Sequence, residues 1–499
     1  MVTRRAFVQG GIALALASAS RVSPAAGQNV VIRRSVTQFD PADPDLEAYR
    51  VAVAAMQGLP DSDPRNWSRM ARIHLDHCPH TNWYFLPWHR AYLYSFEQIC
   101  RELSGKKDFA LPYWDWFIDR QLPVPFRPNG STNVLDHARP GFSGNASLPE
   151  STFAQSVLTR ILGAATFEEF GSQRPSGQTS SGPEWLRQSG TMTELEFGPH
   201  NSVHSILRGD MVTFMSPLDP IFWLHHCNID RIWTLWSRAH PAAVLDPLFL
   251  EMKFDGQFPL PAGAPFNPQV KELLNTEALD YRYEPLANFV AMALDPKLIE
   301  RISVWQGLTQ VGLGDVGKQF QPIKVPTPST GDREILVAAA NVERKVDITA
   351  PLSVPLVAPA PIDTLLGNLG FIQSGMPAPE LGANNVRVLA KISSIVPPHD
   401  QSTAVRVFIN CNYLSPETPV TDPHFVTTIS FFEDTEHGGH AGMGNTRSVS
   451  IDLTSTLATV RRNGDLGTDK LLIQLMPVGK AADPAGTAVS VGSMSAVIL

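Results

Sequence analysis

From about Leu46 through Arg101 the apolar residues recur at the spacing of one helical face, and the same spacing returns from Pro199 to His240. Between these stretches, the Pro- and Gly-bearing segments Leu122 to Gly144 and Gly171 to Gly182 break the period and read as loops over a helical core. A short extended segment, Val31 to Val36, precedes the first helical stretch. Beyond Tyr281-Arg282-Tyr283 the texture changes, first to Pro-rich runs such as Val325 to Pro328 and Val354 to Pro361, which read as connecting sequence. Apolar and polar residues then alternate with the period of half-buried strands in Val386 to Val388, Val405 to Ile409, Val426 to Ile429 and Leu471 to Leu475. The pattern predicts a mainly α domain over residues 28–285, a linker over 286–335 and an all-β sandwich over 336–499.

A chain of 499 residues has room for two domains, and its 43% hydrophobic and 18% charged residues are those of a folded, water-exposed protein. The formal net charge is −8, and no long basic run is present. That excludes the electrostatic partnerships of nucleic-acid binders and of proteins held on anionic lipid, and points to small-molecule partners. Residues 1–27 read as an export signal: Arg4-Arg5 stands before an apolar stretch from Gly10 to Ala19, too short for a membrane anchor, followed by small residues. Paired arginines mark the route that exports folded proteins, so a periplasmic or secreted location is expected. The four cysteines, Cys78, Cys100, Cys227 and Cys411, lie far apart and form no disulfide-scaffold pattern.

Of 14 histidines, eight fall in two windows: His74, His77, His80 and His89, then His200, His204, His225 and His226. His200 and His204 are four apart, so on a helix both rings project from one face toward one metal. His226 can supply the third ligand from the next helix, for which Pro220 suits the first turn. Adjacent helical residues diverge by about 100°, which argues against His225 and His226 both binding that ion. In the first window His74, His80 and His89 make a second set of three. Two all-imidazole sites suit copper better than calcium or magnesium, with zinc and iron as weaker alternatives.

At these windows the chain resembles the tyrosinase, catechol oxidase and haemocyanin group. The first-copper pattern of that group is matched by His74 and Cys78, then His80-Thr81-Asn82-Trp83 through Pro87-Trp88-His89-Arg90; His77 is a departure from it. The second is matched by Glu196 through His200 and His204, then Asp219-Pro220 through His225-His226, ending Asp230-Arg231-Ile232-Trp233. The resemblance implies a four-helix bundle holding two copper ions, one on His74, His80 and His89 and one on His200, His204 and His226. It extends through Tyr281-Arg282-Tyr283, for which Arg33 or Arg34 is the expected partner, and more weakly through Val405 to Asn412 and Phe425 to Val478, which are similar to the β-domain capping latent plant polyphenol oxidases.

What the resemblance implies chemically is oxidation of phenols by dioxygen: o-hydroxylation of monophenols and conversion of o-diphenols to o-quinones. Glu196 and Asn201 would hold the water that takes the monophenol proton. Cys78 would be bonded through sulfur to the His80 ring, and Phe214 would stand at the mouth of the site, with Thr213 or Met215 as alternatives. A side chain of the β-domain would fill the phenol position; the loop Glu436 to Met443 is the candidate. Catechol or o-aminophenol oxidation without monophenol hydroxylation is the alternative, and an oxygen carrier or a zinc protein the more distant ones. Expected partners are phenols and O2, with no nucleic acid and no membrane anchor, while a second copy of the chain and a copper-loading chaperone stay open.

Overall fold

The computed structural model describes residues 30–127, 133–241, 243, 245–284, 335–357, 387–400, 402–432, 446–465, 470–479 and 484–498. The export segment, residues 286–334 of the linker and the Glu436 to Met443 loop lie outside the described residues.

The N-terminal part is helical. Helix α1 (Pro44–Gly58) starts on an Asp43 cap with Pro44 in its first turn. Helix α2 (Trp67–His77) starts on Asn66, whose side chain accepts from the Ser68 and Arg69 amides and so satisfies two amides that the helix itself leaves without partners. Helix α3 (Phe85–Ser104) ends at Gly105, which takes the left-handed conformation, φ 74°, that terminates helices without a Cβ penalty. After a stretch of loops and short helices, of which Gln155–Leu162 is the longest, a π turn (Glu196–His200) runs into α4 (Asn201–Leu207), and α5 (Ile221–Ala239) completes the bundle. Nearly every residue of α5 is buried, because neighbouring elements pack around its whole circumference. Strand β1 (Val31–Arg33) pairs in parallel with β2 (Tyr281–Tyr283), tying the two ends of the helical part together. Among the described residues, no helix is long and apolar enough to cross a membrane.

The C-terminal part is two four-stranded antiparallel sheets. One has the order β8 (Arg447–Asp452), β5 (Val388–Ile395), β10 (Val489–Ile498), β3 (Ile335–Val346). The other has β4 (Leu352–Val357), β9 (Lys470–Val478), β6 (Ala404–Ile409), β7 (Phe425–Ile429). Their inner faces share a core that includes Ile392, Val407, Ile409, Ile473 and Leu475. The prolines of Val354 to Pro361 suggest connecting sequence, yet Pro355 lies inside β4, paired with Leu472. It is tolerated because β4 is an edge strand, where a missing N–H need not break a ladder on both sides.

The two parts exchange aromatic side chains. Phe197, from the π turn, is buried in the core of the β-domain, and Phe432, just beyond β7, is buried in the helical core. Backbone hydrogen bonds stitch the seam: Met192 N–H to Ser448 O (2.9 Å), Ser450 N–H to Met192 O (3.0 Å) and Ser430 N–H to Phe197 O (2.9 Å). Arg387 of the β-domain pairs with both Glu169 and Asp452 beside it.

Candidate metal centre

Helices α2 and α3, the loop between them, the π turn, α4 and α5 bring six histidines to one buried volume. The rings of His74, His80 and His89 form a nearly equilateral triangle, with centroid separations of 5.3, 5.4 and 5.4 Å. Those of His200, His204 and His226 form a second, at 4.7, 5.1 and 5.5 Å. The triangles face each other: the His89 and His226 rings stack at 4.2 Å with 7° between planes, and His80 lies 5.6 Å from His200.

Each ring but one is fixed through its Nδ1. His74 Nδ1 donates to Phe214 O (2.7 Å), His89 to Phe85 O (2.8 Å), His204 to Met211 O (2.6 Å) and His200 to Asn201 Oδ1 (2.8 Å), while His80 Nδ1 contacts Cys78 Sγ at 3.4 Å. A proton held on Nδ1 leaves the Nε2 lone pair free. The Nε2 atoms of His74, His80, His89 and His200 are buried with no partner at all, and those of His204 and His226 face each other at 3.3 Å. Leaving so many buried acceptors unsatisfied is costly unless an ion takes them. Burial, reinforced by neighbouring histidines, also keeps the rings neutral as ligands must be: His89 is pushed down to about 3, and burial alone takes His204 to about 4. The residues fit a pair of metal ions with three imidazoles each.

The structure adds His225 to the second group, since its ring, like those of His200, His204 and His226, has a ligand-capable atom within 4.8 Å of the others. Adjacent helical positions do diverge, but the His225 ring is drawn inward by the Trp116 indole, which donates to its Nδ1 (3.1 Å). His77, by contrast, is only part-buried at the end of α2. Beneath the centre, Arg33 lies 3.5 Å over the Tyr281 ring and pairs with Glu97, while Tyr281, Tyr283 and Arg90 all bond Asp230 on α5. Burial opposes ionisation of Asp230, yet Arg90 and Arg33 hold it below the usual carboxylate range. Arg34, the other candidate partner of the tyrosine motif, instead pairs with Asp43 and Asp45.

Glu196 is fully buried beside the first triad. Its Oε1 accepts from the Thr81 N–H and its Oε2 from the Ser172 hydroxyl, both at 2.5 Å, and burial raises it to about 7. Asn201 orients His200 with its oxygen and gives its amide to Ser430 O of the β-domain (2.9 Å). Phe214 is buried over the first triad, its ring 5.5 Å from His80. The residue that the sequence did not single out is Phe432: its ring lies 4.3 Å from His204, 5.2 Å from His80 and 5.1 Å from Phe214, between the two triads on the side of the β-domain. Ser205 fixes the preceding carbonyl, donating to Phe431 O (2.8 Å).

A helical bundle that offers two facing imidazole triads defines the class as a dinuclear metal protein, and an all-nitrogen donor set of this kind suits copper better than calcium or magnesium. Residues 62–159 and 135–239 match the common central domain of tyrosinase, a domain of oxidoreductases that act on phenols through two copper ions. The chain is 27% identical over 381 residues to tyrosinase HcTyr1 of Hahella sp. (strain CCB-MM4), covering 66% of this chain and 80% of that protein. It is 28% identical over 299 residues to the chloroplastic polyphenol oxidase of Spinacia oleracea, covering 48% of this chain and 45% of that one. The tyrosinase of Streptomyces glaucescens is 34% identical over 177 residues, 32% of this chain and 64% of that one. In fold the chain is similar to latent aurone synthase, a polyphenol oxidase (TM-score 0.66, 18% identity, 95% of this chain and 90% of that one), and to latent apple tyrosinase (TM-score 0.61, 20% identity, 94% and 97%).

Proposed function

We propose that the protein is an exported tyrosinase in a latent form, which hydroxylates monophenols at the ortho position and oxidises o-diphenols to o-quinones once its β-domain is displaced. The observation that carries the reading is the pair of facing triads with unsatisfied Nε2 atoms, closed by Phe432. His74, His80 and His89 would hold one copper and His200, His204 and His226 the other; when bound, the pair supplies dioxygen binding and the electron transfer. The chain's own groups then orient and move protons. Glu196, raised to about 7, is poised to take a phenolic proton near neutral pH, and Asn201 fixes the His200 ring beside it. Phe214 restricts the width of an entering ring.

Phe432 supports latency because an apolar aromatic ring between the triads occupies the volume a phenol ring would need. Displacing the β-domain also frees the Asn201 amide from Ser430 O. Comparing kcat/KM on catechol for the full-length protein and for Phe432→Ala tests this: a rise of at least about tenfold is expected, the worth of removing a competitor of ~1.4 kcal/mol or more, and equal values reject it. Monophenol activity is tested with tyrosine against its diphenol in Glu196→Gln, where loss confined to the monophenol supports the proton-taking role.

Oxidation of diphenols alone is the second reading. It is favoured by the commitment of both Glu196 oxygens to Thr81 and Ser172, which leaves the carboxylate less free to hold a water. Absence of turnover on tyrosine in the Phe432→Ala protein would establish it. A shared assignment of Cys78 and His80 belongs to both readings: their 3.4 Å contact supports a thioether, which an intact mass lighter by two hydrogens would reveal.

A further inference from the structure

On the β-domain, away from the histidine triads, the connection between β6 and β7 gathers a thiol, an imidazole and a carboxylate. The ligand-capable atoms of Cys411, Asp422 and His424 all lie within 4.8 Å of one another, with Cys411 and His424 buried and Asp422 at the rim. His424 Nδ1 is 2.9 Å from Asp422 Oδ1 and 3.1 Å from the Tyr413 hydroxyl, which itself donates to Asp422 Oδ2 at 2.9 Å. On the other side of the ring, His424 Nε2 is 3.7 Å from Asp465 Oδ2.

The backbone around these groups is held firmly. Gln474, buried on β9, grips the Cys411 peptide from both sides, accepting from its N–H (2.7 Å) and donating to its carbonyl (2.9 Å). Asn410 just before it has φ 50°, a left-handed conformation that asparagine tolerates better than most residues and that local bonds can enforce. Here the enforcement is a pair of bonds to Leu472: Asn410 N–H to Leu472 O (3.0 Å) and Leu472 N–H to Asn410 Oδ1 (2.8 Å). Across the connection, Ile409 N–H bonds His424 O (3.0 Å), which fixes the register between the thiol and the imidazole.

We propose that these residues form a second metal site, separate from the copper centre, which takes a single zinc ion on Cys411 Sγ, the Asp422 carboxylate and His424 Nδ1. Mixed sulfur, nitrogen and oxygen donors in this number are those of tetrahedral zinc, whereas calcium and magnesium take oxygen alone. The Tyr413 hydroxyl or a water is placed to complete four-coordination. Asp465 is placed to accept the remaining N–H of the imidazole, the carboxylate-to-histidine support that fixes a ligand ring. As zinc binds, the thiol proton leaves to solvent. The location gives the site a task. His424 stands one residue before β7, and Phe432 stands three residues beyond its end, so the ion would pin the near end of the strand whose far end delivers the ring between the triads.

The test is zinc added to copper-loaded, full-length protein, followed by removal of loosely held metal and quantitation of both metals. About one zinc per chain with copper unchanged is the expected result, since copper outcompetes zinc at the all-imidazole centre. Cys411→Ser and His424→Ala should each weaken zinc retention by at least about tenfold while keeping copper. Cobalt(II) in place of zinc should give a thiolate-to-metal absorption band that Cys411→Ser abolishes. No retained zinc, zinc retained equally by the variants, or zinc gained only as copper is lost would each overturn the proposal. Where a variant does not fold, the cobalt spectrum of the unaltered protein decides: the thiolate band sustains the site and its absence refutes it.

Discussion

The two halves of the metal centre reach similar triangles of imidazoles by different routes. The second draws His200 and His204 from one continuous run of helical turns and His226 from α5, so helical register sets the direction of the rings and the bonds to Asn201 and Met211 only brace them. The first takes His74 and His89 from separate helices and His80 from the loop between them, beside Thr81 at φ 67°. A loop residue lacks the repeating register of a helix, and the contacts that replace it here are local: the Cys78 sulfur against the ring and the Glu196 carboxylate on the adjoining Thr81 amide. One loop also joins the halves, because Met211 O and Phe214 O brace His204 and His74 respectively. Regular helices can fix a metal ligand by register, whereas a loop ligand depends on bonds that can be deleted singly.

The largest effect should come from the rings themselves. His89→Ala and His204→Ala are each expected to lose one copper per chain and fall to background oxygen uptake with catechol, and full turnover in either would break the assignment of its triad. Next, Phe432→Ala removes a buried aromatic ring and should lower stability by about 3 kcal/mol, read as a fall in Tm or in denaturant midpoint, even while it raises catechol turnover. Cys78→Ser probes the asymmetry directly: copper affinity should fall by about 10–100-fold, as for other groups that orient ligands, with the loss confined to the first of the two coppers in a chelator titration. Equal loss from both would show that the halves do not differ in this way.

The subtlest effect is a slope, spread over several pH units. Burial raises Glu196 from 4.5 to about 7, so its contribution to stability is fully present below pH 4.5 and is lost as the pH rises through 7. Glu196→Gln should therefore flatten the decline of Tm between about pH 5 and pH 8, removing a penalty on the order of 3 kcal/mol at the alkaline end. Parallel profiles for the two proteins would mean that the carboxylate is ionised throughout.

Much of the centre could be read before the fold was seen. The i, i+4 spacing of His200 and His204 carries its own geometry, and the apolar run around His225-His226 marks a buried helix. Strands β6, β7 and β9 announced themselves by alternation, whereas the alternating segment Val386 to Val388 meets β5 only at Val388, and in β4 Pro355 concealed an edge strand. Phe432 could not be found this way. It follows β7 with no periodic signature, and only the docking of Ser430 against Phe197 and Asn201 carries it between the triads. The hydroxyl of Ser172 on Glu196, and the indole of Trp116 on His225, likewise depend on long-range packing that no local pattern encodes.

Under the latency proposed above, Phe197 has a second effect once the cap leaves. While the two parts stay together its ring is sealed among aliphatic side chains of the sandwich, but shedding that partner would leave a bare greasy spot right beside the newly opened entrance. On the proposed latency, the uncapped chain should then be more prone to self-association than the capped one.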